Sequence, residues 1–215
     1  GDVTYGLNRA VQTDRSSGST AKPVMDYAPA IEYLDWATYH ALKDTKFYYP
    51  GTSTQLYDFD NRYKGTITMR QALIESRNVP AIRALQAVGM TKAKSFLSNL
   101  GYDTKGLSLQ NGIGLPASTL QNAAAYAAFA NGGTYYGPTY IDKIETADGQ
   151  VNDYSSSGKR VMQSSTAYMI TDMSKQVITS SNGSGTAANI SGLYQAGKTG
   201  TTAYPSDVSG QFPSD

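Results

Sequence analysis

The segment from residue 19 to residue 33 constrains the fold more than any other part of the chain. Its apolar side chains recur at helical spacing, at Val24, Tyr27, Ala28 and Ile31. This periodicity predicts a buried helix, around which the remaining segments must pack. Pro23 is compatible with the first turn of such a helix, whereas Pro29 predicts a kink within it.

Ser19 and Lys22 stand three residues apart at the start of this predicted helix, directly after Gly18. The spacing places the hydroxyl and the amine on one helix face. A serine hydroxyl needs an adjacent base to act as a nucleophile, and a lysine can be that base only if burial or nearby cations keep its amine neutral. The same pair also fits a serine cap followed by a solvated lysine, so these two residues alone leave both interpretations open.

Composition excludes several other kinds of site. The chain has 215 residues, of which 40% are hydrophobic and 16% charged, as expected for one folded domain. A net charge of +1 without a basic cluster argues against a nucleic-acid partner. The chain has no cysteine and a single histidine, so no disulfide, cysteine nucleophile, histidine metal site or cofactor is expected. A Ser-His-Asp triad would have to use His40, for which a packing or surface role is favoured.

Capping and turn residues divide the rest of the chain into helices and short strands. Thr68 can cap a helix that ends near residues 76–78, because Pro80 disfavours helical angles at Val79. Residues 43–65 lack periodicity and predict an irregular surface segment. Two further predicted helices stop at Gly89 and Gly101, and the second of them is capped by Thr91. Another helix runs from Leu120 to Ala130 with Thr119 as its cap, and a long helix begins at Ser164 or Ser165. The predicted strands are a hairpin of residues 139–146 and 150–154 and a strand over residues 194–202.

Three short motifs occur in order along the chain. Residues 19–22 are Ser-Thr-Ala-Lys, residues 76–78 are Ser-Arg-Asn and residues 198–200 are Lys-Thr-Gly. Each motif is weak by itself, because its residue types are common in proteins. The ordered set is far more specific than any single member, so the three segments are expected to meet at one site.

The chemistry of the side chains explains why these motifs should meet. The hydroxyl of Ser76 can pass a proton between Lys22 and a leaving amine, and the amide of Asn78 can bond both a lysine and a substrate. Lys198 supplies a second cation, which would lower the pKa of Lys22 and attract a carboxylate. The lack of a side chain at Gly200 lets an extended substrate lie along the strand edge.

The motifs and their surroundings resemble the transpeptidase domain of class A penicillin-binding proteins from Gram-positive bacteria, within the superfamily that also contains the serine β-lactamases. The resemblance extends over nearly all of residues 1–202. Beyond the three motifs, it is carried by Gly18 before the first motif and Pro23 after it, Asp26-Tyr27-Ala28-Pro29-Ala30, Tyr49-Pro50-Gly51-Thr52, Val79-Pro80-Ala81, the run from Ala124 to Tyr136, and Gln195-Ala196-Gly197 before the third motif.

The resemblance implies a role for each motif residue. Ser19 would be acylated by the D-Ala-D-Ala end of a peptidoglycan stem peptide or by a β-lactam, with Lys22 as the base. Ser76 and Asn78 would complete the proton path and hold the substrate. Lys198 would set the local electrostatic field. The expected function is that of a peptidoglycan D,D-transpeptidase with a serine acyl-enzyme.

The third motif would recognise the substrate. Thr199 and Thr201 would bind its terminal carboxylate, and Gly200 would admit its backbone. The resemblance also implies that the main-chain N–H groups of Ser19 and Thr201 form the oxyanion hole. No metal and no cofactor takes part in this chemistry.

The fold implied is of the α/β (α+β) class, with a helix-rich subdomain packed on a central antiparallel sheet. The sheet of the family has strands before the nucleophile and after the Lys-Thr-Gly strand, so part of it is expected to be missing from this chain. Residues 1–215 are accordingly expected to be a fragment, with a lead-in loop (1–18), a catalytic core (19–202) and a mobile tail (203–215). Its expected partner is the remaining polypeptide of the domain, in a parent protein anchored at the outer face of the cytoplasmic membrane.

Three other functions share these motifs. A serine β-lactamase would need a base that activates water, but the acidic residues between Ser76 and Lys198 mostly lie in the predicted hairpin or on helices, in contexts that do not resemble the lactamase loop. These residues are Asp103, Asp142, Glu145, Asp148, Asp153 and Asp172. A β-lactam sensor module would acylate without transfer to an amine, and an inert fragment would keep the motifs without assembling the site.

Overall fold

The computed structural model describes residues 18–137, 143–145, 151–153, 157–180, 183–185 and 198. The predicted lead-in loop before residue 18, the residues Thr199, Gly200 and Thr201, and the predicted tail over residues 203–215 lie outside this part of the chain. Of the predicted strand over residues 194–202, only Lys198 is described. Within the described ranges, no helix combines the length and the apolar character that crossing a membrane requires.

The predicted first helix is confirmed, and it consists of three consecutive pieces. A 3-10 turn over Gly18–Thr20 leads to a π-helix over Lys22–Tyr27, which continues as helix α1 over Ala28–Leu34. Pro23 and Pro29 each lie at the beginning of a piece, where the missing N–H of proline costs little. The change from π-helix to α-helix falls where the kink was predicted.

Later helices of the described residues follow the predicted order. They are α2 (Met69–Ile74), α3 (Asn78–Val88), α4 (Met90–Asn99), a 3-10 helix (Leu109–Ile113), α5 (Thr119–Ala130) and α6 (Ser164–Thr179). The cap at Thr68 is confirmed, because its hydroxyl accepts the N–H of Gln71. The cap predicted at Thr119 is wrong by one residue, since the hydroxyl of Ser118 accepts from Gln121 instead.

The cap predicted at Thr91 is also wrong. Helix α4 begins at Met90, directly after Gly89, and no side chain caps it. Gly89 adopts φ of 85°, so a single residue turns the chain from α3 into α4. A tight glycine turn leaves no room for a separate capping segment, which is why the helix starts earlier than predicted.

The described strands form antiparallel pairs. The pairs are β1 (Ala41–Asp44) with β4 (Gly65–Thr68), β2 (Phe47–Tyr48) with β3 (Gln55–Leu56), β5 (Thr134–Tyr135) with β8 (Lys159–Arg160), and β6 (Lys143–Glu145) with β7 (Val151–Asp153). The mixed class of helices and antiparallel strands agrees with the predicted α/β (α+β) fold. The β6–β7 pair confirms that the two predicted hairpin strands pair, over residues 143–145 and 151–153, and the predicted turn between them lies outside the described residues.

The prediction of an irregular surface segment over residues 43–65 holds for most of these residues, which are exposed, but it is incomplete. This segment contains strands β2 and β3, and it contributes the buried side chains of Phe47, Leu56 and Asp58. Strands of two residues are too short to produce an alternating pattern, so the sequence gives no periodic sign of them.

Helices α2 and α3 are separated at Ser76, as predicted, but not for the predicted reason. Val79 and Pro80 lie in the first turn of α3, where proline is tolerated. The chain turns at Ser76 instead, because its backbone adopts the left-handed conformation with φ of 55°. This turn places Ser76 between the two helices and Asn78 at the start of α3.

The π-helix lies at the centre of the main hydrophobic core. All six of its residues are buried, and the core around it takes side chains from each of α1 to α6. A smaller cluster of Phe47, Leu56, Val79 and Ile82 packs the β2–β3 pair against α3. These contacts bring the beginning of the π-helix and the beginning of α3 to the same place.

Candidate active site

The amine of Lys22 lies where the first two motifs meet. Its side chain is fully buried, because the π-helix that carries it is surrounded by the core. Its Nζ donates to the main-chain oxygen of Ser76 and to Oδ1 of Asn78, each at 2.7 Å. The same nitrogen lies 3.1 Å from Ser19 Oγ and 3.2 Å from Ser76 Oγ. Four oxygen atoms therefore surround this one amine.

The surroundings of Lys22 favour its neutral form. Burial, followed by the charge of Lys198, lowers the pKa of Lys22 from 10.5 to about 7, against the opposing effect of Asp26 and Asp58. Burial also lowers the pKa of Lys198, to about 8. A large fraction of the Lys22 amines is thus neutral near pH 7, which a lysine must be to accept a proton.

The hydrogen bonds of Lys22 determine where its lone pair is available. A neutral amine has two N–H donors and one lone pair. The main-chain oxygen of Ser76 and Oδ1 of Asn78 can only accept, so they take the two N–H groups. The lone pair remains for a hydroxyl group, and Ser19 Oγ is one of the two within reach. The arrangement can therefore draw the proton from the hydroxyl of Ser19.

The hydroxyl of Ser76 connects two amines. Lys198 Nζ donates to Ser76 Oγ at 2.9 Å, and Lys22 Nζ lies 3.2 Å from the same oxygen. A hydroxyl can donate and accept at once, so Ser76 can relay a proton between Lys22 and a group on its other side.

The segment before β4 fixes the orientation of Asn78. The Nδ2 group of Asn78 donates to the main-chain oxygen of Tyr57 at 2.8 Å, which leaves Oδ1 facing Lys22. The carboxylate of Asp58 accepts the main-chain N–H groups of Asn78 and Val79 through Oδ1, at 2.7 and 3.1 Å. Asp58 therefore occupies the N-terminal end of α3, where a negative charge is favourable.

Arg77, the middle residue of the second motif, belongs to a buried charge cluster. Its guanidinium lies 2.7 Å from Asp60, 3.4 Å from Asp44 and 3.9 Å from Asp58. Burial and a hydrogen bond with Asp58 raise the pKa of Asp44 to about 7. The sequence analysis missed this cluster. Its one sign in the sequence, the run Asp58-Phe59-Asp60, is explained equally well by a surface turn.

Helix α5 makes one further contact that the sequence does not reveal. The hydroxyl of Tyr126 donates to the main-chain oxygen of Thr20 at 2.9 Å. Thr20 follows Ser19 in the 3-10 turn, so this bond ties the turn that carries Ser19 to α5. The apolar composition of α5 explains why Tyr126 is partly buried, but it does not predict the partner of its hydroxyl.

The structure brings most of the predicted site residues together. Those that meet are Ser19, Lys22, Ser76, Asn78 and Lys198. Thr199, Gly200 and Thr201 lie outside the described residues, so the carboxylate site and the second N–H of the oxyanion hole stay predictions. Across the described ranges, no three His, Asp or Glu side chains are grouped so that they could hold a metal ion. His40 stacks on Trp36, with ring centroids 3.8 Å apart, in the packing role favoured for it.

The chain is similar in sequence to known penicillin-binding proteins. Penicillin-binding protein 1A of Streptococcus oralis is 47% identical over 216 residues, which cover 96% of this chain and 34% of that protein. Penicillin-binding protein 1A/1B of Bacillus subtilis is 40% identical over 210 residues, which cover 93% of this chain and 22% of that protein. The chain thus spans about a third or less of the length of these relatives.

A solved structure shows the same fold. The D,D-transpeptidase domain of a peptidoglycan glycosyltransferase from Eggerthella lenta superposes with a TM-score of 0.79 at 21% identity, over 95% of this chain and 58% of that one. The sequence model of the family described as penicillin binding protein transpeptidase domain matches residues 2–211. With this match over almost the whole chain, and with the Ser19, Lys22 and Ser76 contacts in place, the chain belongs to the transpeptidase domain family of the penicillin-binding proteins.

Proposed function

We propose that this chain is a serine acyltransferase domain that cross-links peptidoglycan stem peptides as a D,D-transpeptidase. The observation that carries the proposal is the contact between Ser19 Oγ and the Lys22 amine, whose pKa is lowered to about 7. Ser19 is the nucleophile and Lys22 is the base for acylation. Family membership and the names of the relatives support a transpeptidase of this kind.

In the first step, Ser19 Oγ attacks the carbonyl carbon between the two terminal D-Ala residues, and its proton passes to Lys22. The peptide C–N bond then breaks, and the leaving D-Ala amine takes a proton through the hydroxyl of Ser76. Asn78 holds the Lys22 amine and bonds the substrate amide. An acceptor amine next attacks the ester carbonyl and loses its proton to Lys22. The bond between the carbonyl carbon and Ser19 Oγ then breaks, and Lys22 returns the proton to Ser19 Oγ.

Substrate recognition falls to the third motif. Lys198 attracts the terminal carboxylate, and the hydroxyls of Thr199 and Thr201 donate to it. Gly200 leaves space for the substrate backbone. The main-chain N–H groups of Ser19 and Thr201 stabilise the oxyanion. A β-lactam enters by the same path, and its opened ring stays attached to Ser19.

The proposal extends to the partners and the place of action. The partners are the D-Ala-D-Ala end of a stem peptide, β-lactam antibiotics and further polypeptide of the same domain. The place is the outer face of the cytoplasmic membrane, with the anchor in another part of the parent protein. The support for these points is the similarity to penicillin-binding proteins, which are longer than this chain.

Labelling with a fluorescent penicillin tests the proposal. We expect the unchanged protein to form a covalent adduct and Ser19→Ala to form none. Ser165→Ala, at an exposed serine on α6, is the matched control and should label fully. Covalent labelling of Ser19→Ala would overturn the assignment of the nucleophile.

The fate of the acyl group separates the transpeptidase from the related functions. With a donor peptide that ends in D-Ala-D-Ala, we expect transfer of the peptidyl group from Ser19 to an added D-amino acid, while a penicillin adduct stays attached to Ser19. Rapid release of hydrolysed antibiotic with repeated turnover would instead indicate a β-lactamase. A stable penicillin adduct together with no peptidyl transfer to any amine would indicate a sensor module.

A further inference from the structure

Two consecutive residues outside the three motifs hold Asn78 in place. The main-chain oxygen of Tyr57 accepts Nδ2 of Asn78 at 2.8 Å. The carboxylate of Asp58 accepts the main-chain N–H of Asn78 at 2.7 Å and that of Val79 at 3.1 Å. Two hydrogen bonds thus hold Asn78 and a third holds the neighbouring Val79, and Asp58 is the only side chain among their acceptors.

We propose that Asp58 is a positioning residue for acylation, which holds Asn78 against the Lys22 amine and contributes a negative charge to the surroundings of that amine. The inference rests on the proposed function, since it assumes that Lys22 is the base. It assigns a role to a residue that none of the three motifs contains.

Asp58 fixes the position of Asn78 by holding the beginning of α3. Asp58 is 2% exposed, so its carboxylate is held rigidly and water does not compete for its bonds. It anchors the first two amides of α3, an 11-residue helix whose first residue is Asn78. Movement of that end would carry Oδ1 of Asn78 away from Lys22. The amine would then lose one of the two acceptors that bind its N–H groups. Its lone pair would no longer be kept available for the hydroxyl of Ser19.

The electrostatic part depends on all charges near the two groups. Asp58 and Asp26 raise the pKa of Lys22, while burial and Lys198 lower it. Asp58 in turn faces the guanidinium of Arg77 and the carboxyl of Asp44. Asp58 therefore both contacts the end of α3 at Asn78 and acts on the charge of Lys22.

Two substitutions separate these contributions. Asp58→Ala removes the acceptor and the charge, and we expect it to lower the rate constant of acylation by a fluorescent penicillin by about tenfold or more. Asp58→Asn keeps an acceptor oxygen but removes the charge. For Asp58→Asn we expect a maximal rate within about threefold of the parent. The rising part of its pH profile should move to lower pH, because the Lys22 amine loses a nearby negative charge.

Asp60→Asn is the matched control. Asp60→Asn removes a negative charge next to the guanidinium of Arg77, which Asp60 contacts at 2.7 Å. Unlike Asp58, Asp60 makes no hydrogen bond to Asn78. We expect neither the rate nor the midpoint of the pH profile to change. The thermal unfolding of each variant is measured in parallel, so that a loss of fold is recognised.

The outcomes are decisive even if Asp58→Ala does not fold. An unchanged pH midpoint in Asp58→Asn, or an equal shift in Asp60→Asn, would overturn the electrostatic role. A folded Asp58→Ala that acylates at the parent rate would overturn the positioning role. Both results differ from failure of the proposed function, which would appear as covalent labelling of Ser19→Ala.

Discussion

Ser76 has a left-handed backbone, with φ of 55°, although it carries a Cβ atom. This conformation costs a residue other than glycine about 1–2 kcal/mol. It is maintained because the N–H groups of Ser76 and Arg77 bond to the main-chain oxygens of Leu73 and Ala72, at 3.1 and 2.9 Å. The main-chain oxygen of Ser76 is thereby turned to Lys22. Strain at this position is thus coupled to the contact with the proposed base.

Replacing Ser76 by glycine and by alanine measures this strain. Both variants lose the hydroxyl, but only glycine adopts φ of 55° without a steric cost. We expect Ser76→Gly to unfold with a free energy about 1 kcal/mol higher than Ser76→Ala, as measured by urea denaturation. Equal stabilities would show that the backbone at this position is not strained. Both variants should acylate slowly.

Lys22→Arg tests the requirement for a neutral amine. Guanidinium keeps its proton at every pH at which the protein is folded, so it cannot act as the base. We expect the rate of acylation by a fluorescent penicillin to fall by a factor of about 100 to 10,000. Lys175→Arg, on helix α6, is the control and should acylate normally. A Lys22→Arg variant that acylates at the parent rate would contradict the role of Lys22.

The pKa values of the two lysines predict a narrow pH optimum for acylation. Below about pH 7 the amine of Lys22 is protonated and cannot accept a proton, so the rate should rise with pH. Above about pH 8 Lys198 becomes neutral and no longer attracts the carboxylate of the antibiotic, so the rate should fall again. Stopped-flow acylation with a carboxylate-bearing penicillin measures this profile. A rate that neither rises through about pH 7 nor falls through about pH 8 would contradict both roles.

Among the secondary-structure elements, α1 and α6 are joined by one acidic side chain. The carboxylate of Glu32, on α1, accepts the main-chain N–H of Gln163 at 3.1 Å and also the hydroxyl of Thr166. Both donors belong to the beginning of α6, whose own N-cap residue, Gln163, makes no side-chain capping bond. Glu32 therefore acts as a cap supplied by another helix, which sequence patterns of local capping cannot show.

Glu32→Ala should consequently destabilise the fold without changing the chemistry. We expect the free energy of unfolding to fall by about 1–2 kcal/mol, the usual effect of losing an N-terminal cap. Glu32→Gln keeps an acceptor oxygen and should lose less. Thermal unfolding and the acylation rate at low temperature provide the two readings. A rate that falls in proportion to stability would mean that α6 also shapes the site.

Across the whole molecule, the sequence predicts the helices well and the site in part. The helices carry periodic apolar faces and clear stop residues such as Gly89 and Gly101, so their order is readable. The meeting of Ser19, Lys22 and Ser76 follows from motif order. The contacts of Asp58 and Glu32 could not be predicted, because each joins elements that are distant in the chain and no local pattern encodes such pairing. The two-residue strands could not be predicted, because they are too short to show an alternating pattern.

The smaller hydrophobic cluster, which contains Leu56, provides a test of how the segments are held together. Leu56, on β3, is 5% exposed and packs with residues of α3, so it fastens the segment that contains Asp58 to the helix that begins with Asn78. We expect Leu56→Ala to lower the free energy of unfolding by about 2–5 kcal/mol. Leu56→Met, which keeps the volume, should cost less than about 1.5 kcal/mol. Similar losses for the two variants in urea denaturation would contradict this account.

Main-chain oxygens supply one acceptor to Lys22, from Ser76, and one to Asn78, from Tyr57. A main-chain atom is present whatever side chain follows it, so no point mutation can delete either bond directly. Evolution can therefore vary residue 57, whose side chain is 53% exposed, far more freely than residue 58. A saturation library selected for penicillin labelling should accept many amino acids at position 57 and very few at position 58. Selection by a drug that binds this site would then act on a small set of side chains. The contacts made by main-chain atoms would be retained, because substitutions do not remove those atoms.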